Sequence, residues 1–330
     1  MARSDDERDY LARAHEVGLS GIPMVDFAPF LSGDPEGRRR TARAIAHACQ
    51  DIGFFYLTNH GVPAEAIAGV RDQSEAFFSR PPAERAKSAA TPDWYRGWMD
   101  LSKVGLSSRS RQIESYRIQT EHPWTGDLDA KTRHLYAPNR WPEDMPDFRQ
   151  RACDYFQWMT QLAAHLRRAF ALGLGLAEDR FEPYYADPLY QLTLLHYGSV
   201  DATDEAAVNS TPHTDEGPFT ILWQDAVGGL EVKRRDGVWI AAPPIEDAFV
   251  INVGDMMMWW SNGRYLSNLH KVRNTSGLER YSIPFFANPD GDAIIEPLPE
   301  FVAEDGEALY PPAHVAERMM QFAPKDVRDA

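Results

Sequence analysis

Two patterns of hydrophobic spacing meet near the middle of the chain. In the first half Ala42, Ile45, Ala46, Cys49 and Ile52 recur at helical intervals, with Ser32 or Asp34 in position to cap the turn before them. Gly53 interrupts this stripe, Phe54 to Thr58 reads as a short strand, and Asn59-His60-Gly61 followed by Pro63 turns the chain into a second helix carrying Ile67, Val70, Phe77 and Phe78. From Phe148 to about Leu172 a longer stripe brings Ala152, Tyr155, Met159, Leu162, Leu166 and Phe170 onto one face. Such a helix has an apolar side wide enough to back a sheet.

Beyond Leu189 the period shortens to two. Gln191 to Tyr197, Phe219 to Trp223, Leu230 to Val232, Val238 to Ile240, Phe249 to Val253, Met256 to Trp260 and Arg280 to Phe286 all read as strands. Gly228-Gly229, Asp236-Gly237, Gly254-Asp255, Asn262-Gly263 and Ser276-Gly277 punctuate them as turns. Short strands with regular turns predict a sandwich or jelly roll. With no internal repeat and no low-complexity linker, residues 1–145 and 146–330 are expected to form one structural unit, the helical part bracing the β part.

Composition narrows the function classes. At 330 residues, 43% hydrophobic and 25% charged, the chain resembles an ordinary globular protein, and no apolar run is long enough to span a bilayer. Met1 to Tyr10 is charged and lacks the apolar core of an export signal. Cys49 and Cys153 are too few for a disulfide framework and lack zinc-site spacing, although a single bridge between them stays open; a reducing cytoplasm is expected. A net charge of -15 argues against nucleic-acid or anionic-membrane partners. The basic run Arg38 to Arg40 falls on the first helix and reads as a solvated face.

The candidate chemistry sits in two separated segments. In Thr211-Pro-His-Thr-Asp-Glu-Gly-Pro-Phe-Thr220, extended backbone would point His213 and Asp215 to the same side, about 6.7 Å apart. His270, in Leu269-His-Lys-Val272, follows a hairpin-like Ser261-Asn-Gly263 and offers a third ligand. Two imidazoles and one carboxylate suit non-haem iron(II) with positions left open for substrates and oxygen. Ten residues on, Arg280 and Ser282 share one face of a strand, a guanidinium fork beside a hydroxyl that matches a carboxylate. Without such a ligand, a buried arginine there needs a protein carboxylate as partner.

These motifs resemble the isopenicillin N synthase-like branch of the iron(II)/2-oxoglutarate dioxygenases. The resemblance runs in order through Ile22-Pro-Met-Val-Asp26, Gly53-Phe-Phe-Tyr-Leu-Thr-Asn-His-Gly-Val-Pro63, Phe77-Phe-Ser-Arg-Pro81, Gly228-Gly-Leu230, Asn252-Val-Gly-Asp255 and Arg280-Tyr-Ser-Ile-Pro-Phe-Phe286, covering roughly residues 22 to 290. It implies an α+β protein with a mainly β core, a double-stranded β-helix or jelly roll braced by N-terminal helices. By position it implies that His213, Asp215 and His270 bind iron(II), that Arg280 and Ser282 anchor 2-oxoglutarate, and that Tyr197 assists them. Leu195 and Gly198 depart from a frequent family pattern beside Tyr197. His60 and His196 lack metal spacing with the triad and are expected to be structural.

The implied reaction consumes molecular oxygen and 2-oxoglutarate, releases succinate and carbon dioxide, and hydroxylates, desaturates or cyclises a small molecule at an unactivated C–H bond. Two other readings are an iron oxidase of the isopenicillin N synthase type that uses no 2-oxoglutarate, and a non-catalytic sensor of a small acid. The family's substrate-covering region matches Tyr95-Arg-Gly-Trp98 and Glu114-Ser-Tyr-Arg117, where Trp94, Tyr95, Trp98, Tyr116 and Trp124 form either a pocket wall or core packing. Arg96, Tyr116, Arg117 and Phe286 are the candidate substrate residues, with Arg96 or Arg117 meeting an anion. By analogy the substrate is an amino-acid or peptide derivative of secondary metabolism.

Overall fold

The computed structural model describes residues 21–91, 95–101, 113–121, 135–199, 210–274, 276–302 and 306–321. Trp94 and Trp124, like the charged N-terminal start, lie outside the described residues. The helices are α1 (Ala28–Leu31), α2 (Pro35–Asp51), α3 (Ala64–Phe78), α4 (Pro82–Arg85), α5 (Pro146–Gly173), α6 (Asp255–Trp260) and α7 (Val315–Gln321). The strands are β1 (Met24–Asp26), β2 (Phe54–Thr58), β3 (Gly97–Asp100), β4 (Ile113–Gln119), β5 (Gln191–Tyr197), β6 (Ser210–His213), β7 (Phe219–Gln224), β8 (Leu230–Lys233), β9 (Trp239–Ala241), β10 (Ala248–Val253), β11 (His270–Val272), β12 (Arg280–Phe286), β13 (Ile294–Ile295) and β14 (Ala313–His314).

Asp34 caps α2 by accepting from Gly37 N at 2.7 Å, and Pro35 occupies the first turn, where no donor is needed. The stripe of Ala42, Ile45 and Cys49 is buried, as the spacing requires. Both α2 and α3 pack on α5. Arg38 and Arg39 pair with Glu178 and Glu36 on the outer face, so this basic run is a solvated helix side. Cys49 and Cys153 are free thiols. Among the described residues no helix is long and apolar enough to cross a membrane.

Eight strands form one sheet in the order β1-β2-β10-β7-β12-β5-β4-β3, and four form a facing sheet, β6-β11-β8-β9. This is the jelly roll, with β1 to β4 from the N-terminal half joining the larger sheet. Strand alternation gives that sheet two different faces. Leu192, Leu194, Phe219, Ile221, Ile251, Ile283 and Phe285 are all fully buried in the same core as α5; Phe170 meets Phe219 at 5.0 Å and Phe156 meets Phe285 at 5.2 Å. The opposite face looks into the space between the sheets. At one end Phe54, Tyr56, Val250, Leu230, Val232 and Ile240 fill it; at the other it opens into a cavity.

The register sorts that inner face into rows. Gln119, Gln191, Phe286, Thr220 and Asn252 are successive partners across β4, β5, β12, β7 and β10, while Ile113, Tyr197 and Arg280 make another row several residues along.

Two local expectations are corrected. Met256 to Trp260 is not a strand but α6: Gly254 stands at its N-cap, and Met256, Met257 and Trp260 share the buried side of a single turn. An uninterrupted apolar run carries no period to separate the two states. Ser261-Asn-Gly263 then closes this helix, with Asn262 and Gly263 at φ 48° and 78°, rather than forming a hairpin.

Candidate active site

β6 ends at His213, and β11 pairs with it so that His270 is the direct register partner of His213. The two rings lie 4.3 Å apart between centroids. Asp215 falls beyond the strand end, so the expected extended His-x-Asp stretch is only partly realised. The chain nonetheless brings Asp215 Oδ1 to 3.9 Å from His213 Nε2 and 3.7 Å from His270 Nε2. One ligand atom from each residue lies within 4.8 Å of the others, an arrangement that can hold a metal ion.

The surroundings fix which atoms face inward. His213 Nδ1 lies 2.8 Å from Thr211 O and His270 Nδ1 lies 3.3 Å from Asn268 O. Donation by each Nδ1–H leaves the Nε2 lone pair available for a metal, the usual outer support of a histidine ligand. His270 also packs edge-on against Phe54 at 5.4 Å. Burial foremost, against the pull of Asp215, pushes the His270 imidazole below its ordinary range, which favours the neutral form a metal needs.

Asp215 is held from its other oxygen. Thr220 Oγ1 and Asn252 Nδ2 donate to Oδ2 at 2.5 and 2.7 Å, leaving Oδ1 for the imidazole side. Burial alone would raise this carboxyl; His270, His213 and the two hydrogen bonds outweigh it and hold it below the usual carboxylate range. The Asn252-Val-Gly-Asp255 run braces the backbone as well. Gly254 N donates to Pro218 O at 2.9 Å and Asp255 N to Asp215 O at 2.7 Å. A Cβ on Gly254 would stand 2.1 Å from Gly217 O, so only glycine permits this approach.

Arg280 is 1% exposed. Its Nε donates to Gly228 O at 2.6 Å, its Nη1 to Ser282 Oγ at 3.0 Å, and its guanidinium carbon stands 4.7 Å over the Tyr197 ring. Among the described residues no carboxylate lies within ion-pair distance of it. The Gly228–Gly229 turn, with φ of 75° and 89°, supplies the carbonyl that aims the fork. Arg280, Ser282 and Tyr197 line the same cavity of about 520 Å³ as His213, Asp215 and His270. A buried cation without an acid partner, in a cavity that also offers a metal-binding triad, is a ready anion site.

Comparison with known proteins identifies the architecture. Residues 22–144 match the family described as the non-haem dioxygenase in morphine synthesis N-terminal region, and residues 189–289 match the 2OG-Fe(II) oxygenase superfamily. The chain is 32% identical to the 2-oxoglutarate-Fe(II) type oxidoreductase hxnY of Emericella nidulans, over 89% of this chain and 87% of that one. It is 34% identical to a homoarginine-6-hydroxylase of Glycine max, over 85% and 89%. The crystal structure of a full-length Neurospora crassa protein in complex with α-ketoglutarate and 5-formyluracil superposes with a TM-score of 0.80 at 30% identity, covering 94% of this chain and 96% of that one. The chain belongs to the 2-oxoglutarate-Fe(II) oxygenase family.

As a member of the 2-oxoglutarate-Fe(II) oxygenases it is an iron(II)- and 2-oxoglutarate-dependent oxidoreductase. Bound iron and 2-oxoglutarate supply the oxygen activation that oxidises a C–H bond with release of succinate and carbon dioxide. The donor set fits the metal: two imidazole nitrogens and one carboxylate oxygen, each supported from behind.

The four candidate substrate residues of this oxygenase part company. Arg117 and Phe286 line the cavity. Tyr116 points the other way, fully buried against Phe77 and Phe148, its hydroxyl donating to Arg140 O at 2.5 Å. Arg96 is 0% exposed and donates to Leu135 O, to Thr120 O at 3.2 Å and to Asn139 Oδ1 at 3.4 Å. Its Nη1 and Nη2 groups are taken by these acceptors and it does not line the cavity, so it is not placed to meet an anion there. His60 and His196 are also off the cavity. His60 accepts from Val62 N at 3.1 Å, and His196 stacks between Phe78 and Tyr281.

Sequence reasoning missed other parts of the wall. Gln119 and Gln191 face the cavity from β4 and β5, and Met319 and Met320 reach it from α7. Arg318 ties α7 down by donating from Nε and Nη2 to Glu216 Oε2 at 3.0 and 2.6 Å. Glu216 follows Asp215 of the candidate triad directly, a proximity the motif contained; the methionines carried no signal from so far along the chain.

Proposed function

We propose that His213, Asp215 and His270 are the iron ligands, and that Arg280 and Ser282, with Tyr197 beneath the guanidinium, anchor the distal carboxylate of 2-oxoglutarate. The observation that carries this reading is Arg280 itself, a buried guanidinium in the triad's cavity without an acid partner among the described residues. The chain works as a single unit, the N-terminal strands completing the sheet on which the cosubstrate sits. Its substrate is a small molecule, an amino-acid or peptide derivative, with Arg117 and Phe286 on the substrate side of the cavity. Two relatives agree in kind, both being named with small molecules: homoarginine for the Glycine max enzyme, and 5-formyluracil in the Neurospora structure. Two free thiols suit a reducing cytoplasm.

The side chains divide the labour. The triad presents three atoms from one side, Arg280 fixes the orientation of the cosubstrate by a fork rather than a point charge, and the apolar walls keep bulk water from the reacting face. Iron content and succinate release in His213→Ala, Asp215→Ala and His270→Ala test the assignment. Each is expected to lose both while circular dichroism stays that of the parent. An Asp215→Ala protein with stoichiometric iron and normal succinate release overturns it.

A further inference from the structure

Arg117, Gln119 and Gln191 line the cavity from β4 and β5 and have no task in holding iron or cosubstrate. Arg117 holds its guanidinium 4.0 Å over the Tyr95 ring. Its Nε is buried without a hydrogen-bond partner, and among the described residues no carboxylate lies within ion-pair distance. Arg85, Arg167 and Arg318, by contrast, each hold a glutamate within 3 Å. The fully buried Arg96 lies near enough for its charge to be felt beside Arg117. Two neighbouring cations, Arg96 offset in part by the Glu121 carboxylate, make a local positive field in a chain of net charge -15.

Two residues along the same face of β4, Gln119 meets its register partner Gln191. Both are buried, and they are joined head to tail: Gln119 Nε2 donates to Gln191 Oε1 at 2.8 Å and Gln191 Nε2 to Thr193 Oγ1 at 3.1 Å. With the amides turned this way, the chain leaves the Gln119 side-chain carbonyl and one N–H of each glutamine without a partner among the described residues. A donor and an acceptor side by side complement an amide, which offers the same pair in reverse. The register also sets the distance to the metal site. Gln191 and Thr220 stand in one row two strands apart, about 10 Å, and Thr220 is the residue that holds Asp215. That span is the length of a small molecule.

We propose that the primary substrate carries a carboxylate, held by Arg117, and an amide a few bonds away, read by Gln119 and Gln191, with its remaining arm directed to the His213–Asp215 side. N-acylated amino acids and short peptides are the chemical class that meets this description. The inference rests on the iron and 2-oxoglutarate reading above and adds to it the identity of the second ligand.

The test uses the full chain loaded anaerobically with iron(II) and 2-oxoglutarate. The probes are N-acetyl derivatives of apolar amino acids, their methyl esters, and the matching carboxylic acids that lack the amide, each titrated calorimetrically. The acids bearing an amide are expected to bind about tenfold tighter than either half-probe. Arg117→Gln should make acid and ester bind alike. Gln119→Glu, which sets a carboxylate in front of Arg117 without changing side-chain size, should do the same, while 2-oxoglutarate binding stays that of the parent. Equal binding of all three probe types to the parent protein overturns the inference, as does a carboxylate preference that survives Arg117→Gln. If the parent protein fails to bind 2-oxoglutarate at all, the underlying reading has failed instead.

Discussion

Asn252 donates to Asp215 Oδ2 at 2.7 Å, and this bond ties a central strand of the large sheet to the loop that carries this carboxylate of the candidate triad. Thr220 completes the grip from the neighbouring strand at 2.5 Å. Both residues lie in the same row of the sheet's inner face. The carboxylate's free oxygen is therefore positioned by the jelly roll itself, while the two histidines come from the facing sheet.

Loosening this grip should weaken metal binding with the ligands still present. Asn252→Ala and Thr220→Val are expected to lower affinity for iron(II), or for cobalt(II) as its spectroscopic substitute, by about 10- to 100-fold. Asp215 would then be free to turn both oxygens, and its ordered presentation of Oδ1 would be lost. Metal titration followed by visible absorption measures this, and parent-like affinity in both variants would show that the carboxylate orients itself.

Arg280 and Ser282 should separate in the cosubstrate response. Arg280→Ala removes a charge-assisted fork from a buried position, expected to cost about 2 to 5 kcal/mol of 2-oxoglutarate binding. Ser282→Ala removes a neutral hydroxyl contact worth about 1 kcal/mol and also the acceptor that steadies Arg280 Nη1. The KM for 2-oxoglutarate should rise in that order. Variants that keep the parent KM for 2-oxoglutarate and lose affinity for the primary substrate would instead place a substrate carboxylate at Arg280, the oxidase arrangement.

The parts of the molecule legible in sequence were those whose cause is local or repeated. Strand alternation located β2, β5 and β12 to the residue because each has one face toward α5 and the other toward the cavity. The grouping of His213, Asp215 and His270 was legible because ligand types and an in-order series of motifs coincide, and the fold brings these three side chains together. What stayed hidden depends on packing between distant segments. Gln119 and Gln191 gain meaning only when β4 and β5 pair, and Met319 enters the cavity from a distant helix that Arg318 ties to Glu216. Arg96 shows the converse: an arginine in an aromatic-rich stretch has the same composition whether it faces a ligand or three backbone and side-chain oxygens.

Stability at mildly acid pH should carry the mark of His60. Burial foremost, against the Asp247 charge, pushes this imidazole below its ordinary value of 6.5, and its Nδ1 accepts from Val62 N, which a protonated ring cannot do. The unfolded chain thus takes up a proton near 6.5 that the folded protein refuses, so folding stability falls as the pH drops through that value. Thermal melting from about pH 7 to about pH 5 should show this loss, and His60→Gln, which keeps an acceptor but cannot titrate, should reduce its slope. An identical slope in parent and variant would remove His60 from the account.

Arg96 and Arg117 are expected to respond oppositely to the same substitution. Arg96→Gln leaves the Leu135 and Thr120 carbonyls short of a donor, each costing about 1 to 3 kcal/mol, so a total loss of about 2 to 6 kcal/mol in denaturant unfolding is expected. Arg117→Gln removes a cation that has no acid partner among the described residues and that lies beside the charge of Arg96, so stability should hold within about 0.5 kcal/mol or rise. The same logic reverses for ligand binding, where Arg117 meets the cavity and Arg96 does not. Chemical denaturation of both variants, paired with probe titration, decides the matter. An Arg96→Gln protein as stable as the parent but defective in binding would return Arg96 to the substrate site and leave the Leu135 and Thr120 bonds without energetic weight.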